Sequence, residues 1–139
     1  MNILITAGGT TEKIDQVRAI TNHSTGRLGK QIADAFSNNP EAIIDYVTTK
    51  NSVLPEPSDA IHLHMIESTH DLLTILETLL QAKTYDAIIH SMAVSDFTPS
   101  LSLSKEHFIE SFGTNKVTET SFDNWLTQTK QADGNSVKK

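Results

Sequence analysis

The apolar positions change period along the chain. "NILITA" is a short, apolar, β-branched run followed by glycines, the pattern of a buried strand, predicted over residues 3–7. From Ser24 or Thr25 as N-cap, Leu28, Ile32, Ala35 and Phe36 recur at helical spacing. They predict a helix over about 25–38, which "SNNP" ends. "AIIDYVTT" predicts a second strand over 43–48, and "KNSVLPEPSD" a loop, because Pro55 and Pro57 exclude regular structure. "IHLHMI" predicts a third strand over 61–65. Ser68 or Thr69 caps a second helix over 69–82, with Leu72, Leu73, Ile75, Leu76, Leu79 and Leu80 turned to the core. "YDAIIHSMA" predicts a fourth strand over 87–92, running into "VSDFTPS". This alternation implies an α/β fold: Rossmann-like, doubly wound, with a mostly parallel sheet.

After Pro99 the pattern decays. Residues 100–139 mix Ser, Thr and Lys with scattered Phe and the single Trp. They predict a short amphipathic hairpin or helix around Phe108 to Trp125, then a mobile tail. The expected organisation is a nucleotide- and substrate-binding core over 1–99 and a variable, flap-like insert over 100–139. No later strand closes the sheet, so the chain reads as truncated at its C-terminus.

Composition narrows the function. The 139 residues suit one domain, 37% apolar and 20% charged. The formal charge of −6, without a basic block, argues against nucleic acid and membrane surfaces as partners. The lack of cysteine removes disulfides, thiolate metal sites and cysteine nucleophiles, and fits a cytoplasmic location. "MNILITAGGT" has no charged segment ahead of its apolar run, so it does not read as a signal peptide.

Ligands of parallel sheets bind beyond the carboxyl ends of the strands. Two segments fall there: the long stretch Ala7 to Ser24, and "HSMAVSDFTP" after the fourth strand. If the first and fourth strands are neighbours, these segments line one crevice. The first is not a dinucleotide fingerprint, since Gly8 and Gly9 are adjacent and Gly26 and Gly29 come much later. Its chemistry is still that of a phosphate site. A helix start offers free N–H groups, Ser24 and Thr25 offer hydroxyls, and Arg18, Arg27 and Lys30 offer charge.

"TAGGTTEKIDQVRAITNHSTGRLGK" resembles the signature of phosphopantothenate–cysteine ligases, the synthetase step of coenzyme A biosynthesis. The matching residues are Gly8, Gly9, Thr10, Ile14, Asp15, Val17, Arg18, Asn22, Ser24, Thr25, Gly26 and Gly29. "MAVSDF" resembles a second block of that family, with Met92 and Ser95 in place of alanines, and Met92 is expected to crowd the crevice. The resemblance implies a CTP-dependent ligase of bacterial type joining 4'-phosphopantothenate to L-cysteine through an acyl-nucleotide, with Mg²⁺ accompanying the nucleotide. It implies a homodimer, catalytic roles for Asn22 and Arg18, and substrate contacts from Asn22, Ser24, Thr25, Gly26 and Ala93. Gly8, Gly9, Thr10, His90, Ser91, Met92 and Asp96 would serve the nucleotide. The family's flap lysine would fall at Lys138 or Lys139, or beyond.

Other readings stay open. An NAD(P)-binding oxidoreductase is one, though no acidic residue is clearly placed at the end of the second strand. A non-catalytic nucleotide-binding half-domain is another. Taken outside the motif, Asn22, Ser24 and Thr25 are loop and cap residues, Arg18 is a surface ion pair, and Asp96 starts a turn. His62 and His64 share one strand face, as a metal pair would, but a solvated face accounts for them as well. The identity of the nucleotide, CTP or ATP, is not legible.

Overall fold

The computed structural model describes residues 1–112 and 118–136. The chain forms two compact units, Met1–Thr98 and Pro99–Lys139. In the first, β1 (Asn2–Gly9), β4 (Ile43–Thr49), β5 (Ile61–Ile66) and β6 (Ala87–Ala93) form one sheet in the order β5-β4-β1-β6. Every pairing in it is parallel. A separate antiparallel hairpin, β2 (Thr11–Lys13) with β3 (Ala19–Thr21), occupies the stretch after β1. The Rossmann-like expectation is met, and each of the four predicted strands is present.

The sheet has two apolar faces because successive side chains alternate. On one face Ile3, Ile5, Ile44 and Tyr46 pack with Ala33, Ile32 and Phe36 of α1 (Arg27–Ser37). On the other Leu4, Val47 and Met92 pack with Leu72 and Leu79 of α2 (Thr69–Ala82). The central strand β1 is buried from Ile3 to Gly9, since it has both a helix layer and a strand on each side. Such a strand reads as a continuous apolar run, as "NILITA" does.

Three helix details differ from the sequence reading. Helix α1 presents Gly29 and Ala33 to the sheet, not Leu28, which is 61% exposed, or Ala35. The small residues let the helix lie close: a Cβ on Gly29 would overlap that of Ala7. Its N-cap is Gly26, at φ 73°, and no side chain caps it, so neither Ser24 nor Thr25 does. Positive φ favours glycine and turns the chain sharply into the helix. In α2 the cap is Ser68, which accepts from Asp71 N–H while the Asp71 carboxylate accepts from Ser68 N–H. Leu73 and Leu80 stand half exposed on its outer side.

The second unit contains α3 (Lys105–Phe112) and α4 (Glu119–Ser136). Ser104 caps α3 and Thr118 caps α4, each hydroxyl accepting an N–H three residues on. The Trp125 ring meets Phe108 edge-on at 5.0 Å and Phe122 at 5.6 Å. Helix therefore continues past Trp125 to Ser136, where a tail was expected; Lys138 and Lys139 lie outside the described residues.

Candidate functional site

β1 and β6 are neighbours, and Gly9 stands opposite Ala93 in register. The two predicted segments therefore leave the sheet side by side. Thr10, fully buried, joins them: its N–H donates to Ala93 O (3.0 Å), and its Oγ1 accepts from Ser95 N–H (3.0 Å). Its own carbonyl accepts from Asn22 N–H (3.0 Å).

The hairpin between Thr10 and Asn22 is tied down at its base. Buried Glu12 accepts from Thr69 N–H at 2.7 Å, at the start of α2, and Lys13 pairs with Glu67 at 2.9 Å. At its tip the Asp15 carboxylate accepts from Val17 and Arg18 N–H and grips the Arg18 guanidinium at 2.7 Å. These bonds, led by that to Arg18, lower the Asp15 pKa to about 2. The "Ile-Asp…Val-Arg" spacing thus forms a turn, with Arg18 exposed on its own carboxylate partner.

Beyond the hairpin, "NHSTG" crosses the end of β1. A Cβ on Gly9 would overlap the carbonyl oxygen of Asn22, so glycine there permits backbone on backbone. The crossing leaves a cleft of about 270 Å³ lined by Gly9, Thr21, Asn22, His23, Ser24, Thr25, Thr49 and Asn51. Thr10 Oγ1 lies 3.4 Å from the Asn22 amide nitrogen, the long limit of a hydrogen bond. Beside the cleft, α1 begins with no side chain on its first N–H groups. Lys30 is engaged by Asp34 (2.6 Å) and Glu56 (3.0 Å), whereas Arg27 is exposed at the helix start.

On the β6 side, Ala93 ends the strand, and Asp96 is exposed in the bend that follows. His90 Nδ1 contacts Thr6 Oγ1 at 2.6 Å, and Ser91 Oγ donates to Thr6 O at 2.8 Å. Met92 turns its side chain into the core beneath α2, so it does not crowd the crevice; strand alternation dictates this.

The β4–β5 loop contributes residues that the sequence reading missed. Thr49 and Asn51 line the cleft. Ser52 bonds Thr49 Oγ1 at 2.9 Å, and Val53 N–H donates to Thr25 O at 3.0 Å, latching the loop to the crossing segment. The available signal was positional: these residues follow a strand at its carboxyl end, as the recognised segments do.

A second polar cluster lies toward the amino ends of the strands. Asp45 of β4, 2% exposed, accepts from Tyr85 OH at 2.7 Å and contacts His64 Nε2 at 2.8 Å and Lys83 Nζ at 2.5 Å. His62 Nδ1 stands 3.9 Å away. The histidine face is therefore built around a buried carboxylate rather than simply solvated. Among the described residues no group of three or more His, Cys, Asp or Glu is arranged to hold a metal.

The family described as "DNA/pantothenate metabolism flavoprotein C-terminal domain" matches residues 1–110. The chain belongs to that family. It is 38% identical over 95 residues to the coenzyme A biosynthesis bifunctional protein CoaBC of Thermococcus kodakarensis, covering 68% of this chain and 23% of that protein. Among solved structures, the DNA/pantothenate metabolism flavoprotein from Streptococcus pneumoniae is 46% identical, with a TM-score of 0.63. The match covers 70% of this chain and 42% of that one. The C-terminal domain of CoaBC is 36% identical at a TM-score of 0.59, covering 70% and 47%. A Cab2 variant solved with phosphopantothenate-cysteine shares the fold, at 20% identity and a TM-score of 0.63. The chain spans about a quarter of the length of the curated relatives and under half of these solved chains. The family places the chain with the synthetase domains of coenzyme A biosynthesis, as the motif resemblance implied.

Proposed function

We propose that residues 1–98 form the acyl-phosphate half of a phosphopantothenate–cysteine ligase site, acting on 4'-phosphopantothenate, L-cysteine and CTP. The observation that carries this reading is the "NHSTG" segment laid over the end of β1. It sets an amide and two hydroxyl residues on one cleft, beside an uncapped helix start. About 270 Å³ is below the usual range for a whole ligand pocket and suits the reacting end of a substrate.

The chemistry asks for such an arrangement. A carboxylate is a poor acyl donor. Attack of its oxygen on the α-phosphate forms an acyl-nucleotide and expels pyrophosphate; the cysteine amine then attacks the acyl carbon and releases the nucleotide monophosphate. Negative charge grows on phosphate oxygens and then on a tetrahedral carbon's oxygen. Fixed N–H and amide donors stabilise both without reorganising. Asn22 is assigned to the second step, and Ser24, Thr25 and the first N–H groups of α1 to the phosphate. Gly8, Gly9, His90, Ser91 and Asp96 are assigned to the nucleotide side, and Ala93 to the substrate. Arg18, paired with Asp15 at the hairpin tip, is assigned a supporting role. Mg²⁺ would travel with the nucleotide and neutralise its phosphates; no protein ligand is assigned to it. Homodimerisation and a cytoplasmic setting complete the proposal. Among the described residues no helix is long and apolar enough to cross a membrane.

The test has two parts. Titrating the chain with phosphopantothenate is expected to shift the amide signals of residues 22–29. Shifts caused instead by NADH would turn the reading toward an oxidoreductase. In a chain that carries the rest of the domain, Asn22→Asp or Asn22→Ala should leave pyrophosphate release partly intact while acyl-cytidylate accumulates. Equal loss of both half-reactions would refute the role of Asn22.

A further inference from the structure

The geometry points to Thr10 as a positioning residue that couples the Asn22 segment to the β6 loop, rather than a residue that touches nucleotide. The proposal rests on the ligase reading for the meaning of the coupling, but its structural content does not. Thr10 has no accessible surface, so no ligand reaches its side chain without displacing the segments above it. Its polar atoms are engaged with both walls of the crevice. Asn22 N–H donates to its carbonyl at 3.0 Å, and Ser95 N–H donates to its Oγ1 at 3.0 Å. Thr10 N–H donates to Ala93 O, also at 3.0 Å.

One side-chain oxygen therefore stands at the meeting of three segments. Ser95 N–H bonds it, the Asn22 amide nitrogen approaches it to 3.4 Å, and Thr69 Oγ1, at the start of α2, approaches it to 3.4 Å. A hydroxyl oxygen has two lone pairs to share among such donors. The Asn22 contact is the long one, so the backbone bond fixes where residue 22 sits and the hydroxyl biases how its amide is turned. Glu12, two residues on, reinforces the knot by taking Thr69 N–H at 2.7 Å. The consequence is that the amide meeting the acyl group and the loop meeting the nucleotide cannot shift independently. Positioning of this kind matters because small misplacements of reacting groups cost rate steeply.

Nuclear magnetic resonance on the ligand-free chain tests this without any turnover. Thr10→Val keeps shape and removes the hydroxyl; Thr10→Ser keeps the hydroxyl. Valine is expected to move the Ser95 backbone amide proton upfield and to shift the Asn22 side-chain amide pair in the same variant. Serine should restore both. Ile44→Val, in the core under α1, controls for lost stability alone and should move neither signal. If the Val chain does not fold, the temperature coefficient of the wild-type Ser95 amide decides: a shallow value supports the bond, a steep one overturns it. The proposal is also overturned if valine moves only one of the two signals, or if the core control moves both. Failure here leaves the ligase reading standing, because that is judged on the half-reactions. Failure of the half-reactions leaves the Thr10 coupling standing, because that is judged on these signals.

Discussion

The two ends of the parallel sheet put polar residues to opposite effect. Toward the amino ends, the Asp45 carboxylate is buried and gathers Lys83, His64 and Tyr85 around it. At the carboxyl ends, Asn22, Ser24 and Thr25 line an open cleft beside a helix start that no side chain caps. A buried charge persists only when paired and bonded, so the first cluster is closed upon itself. Donors left facing a cleft keep their capacity for a ligand. The difference separates satisfied from available polarity in one small domain: both ends are polar, and what distinguishes them is whether the groups already have partners.

The largest effect that would sharpen the comparison is at Asp45. Burial by itself would raise its pKa. The bonds from Lys83, His64 and Tyr85 outweigh burial and hold the carboxyl below the ordinary range. Asp45→Ala removes the acceptor common to three side chains and should cost about 3 kcal/mol in urea unfolding, the low end for a broken buried pair because Lys83 and His64 keep some contact with water. The Asn22 and Ser24 amide signals should not move. The sign with pH follows from the lowered folded pKa. The stabilisation is complete above the unfolded carboxyl value of about 3.9 and fades as pH falls through the lower folded value. Asp15, lowered to about 2, fades over the same acid window. An Asp45→Asn chain should therefore lose less stability on acidification than the wild type does. An equal loss would mean that the cluster carries no linked proton.

A smaller effect should appear at the carboxyl end. Gly9→Ala drives a methyl into the Asn22 carbonyl, and that neighbour is backbone, so the crossing segment must shift. The expected cost is about 2 kcal/mol, typical of overpacking. Unlike Asp45→Ala, this substitution should move the Asn22 to Thr25 signals and weaken phosphopantothenate binding. If it changes stability but leaves those signals in place, the cleft is not shaped by the glycine contact.

Much of this architecture is legible in the sequence, and the gaps have physical reasons. "NILITA" announces a central strand because burial on both faces demands an apolar run. Ser68 and Thr69 ahead of the leucine run mark a helix start, and reciprocal capping with Asp71 selects Ser68 in the fold. The start of α1 misleads because Ser24 and Thr25 carry cap-forming side chains, yet the turn depends on the positive φ of Gly26. Leu28 misleads because helical spacing alone does not show that Gly29 and Ala33 allow the closer approach to the sheet. Glycine in such a motif lets an anion approach the backbone, but Gly9 and Gly29 are first required by backbone and helix contacts within the protein. Asp45 escapes notice because its partners lie 19 to 40 residues away in the chain, brought together only by the sheet. Thr49 and Asn51 escape because a loop without a motif shows its value only once its strand is placed.

The smallest effect is expected beneath α1, at Tyr46. This fully buried ring packs with Ile3, Ile5 and Ile44, and its hydroxyl has no protein hydrogen-bond partner among the described residues. Burial, first of all, pushes the phenol up to about 12, so it stays neutral throughout the working range. Removing a buried hydroxyl that makes no bond gives up little packing and no hydrogen bond, while ending the cost of keeping that group from water. Tyr46→Phe should thus change unfolding stability by no more than about 0.5 kcal/mol, or raise it slightly. The Asn22 signals should stay fixed, because the ring lies in the apolar layer between α1 and the sheet. A loss above about 1 kcal/mol would mean the hydroxyl is bonded after all. The division between a satisfied cluster and an open cleft would then need a third polar position, inside the core itself.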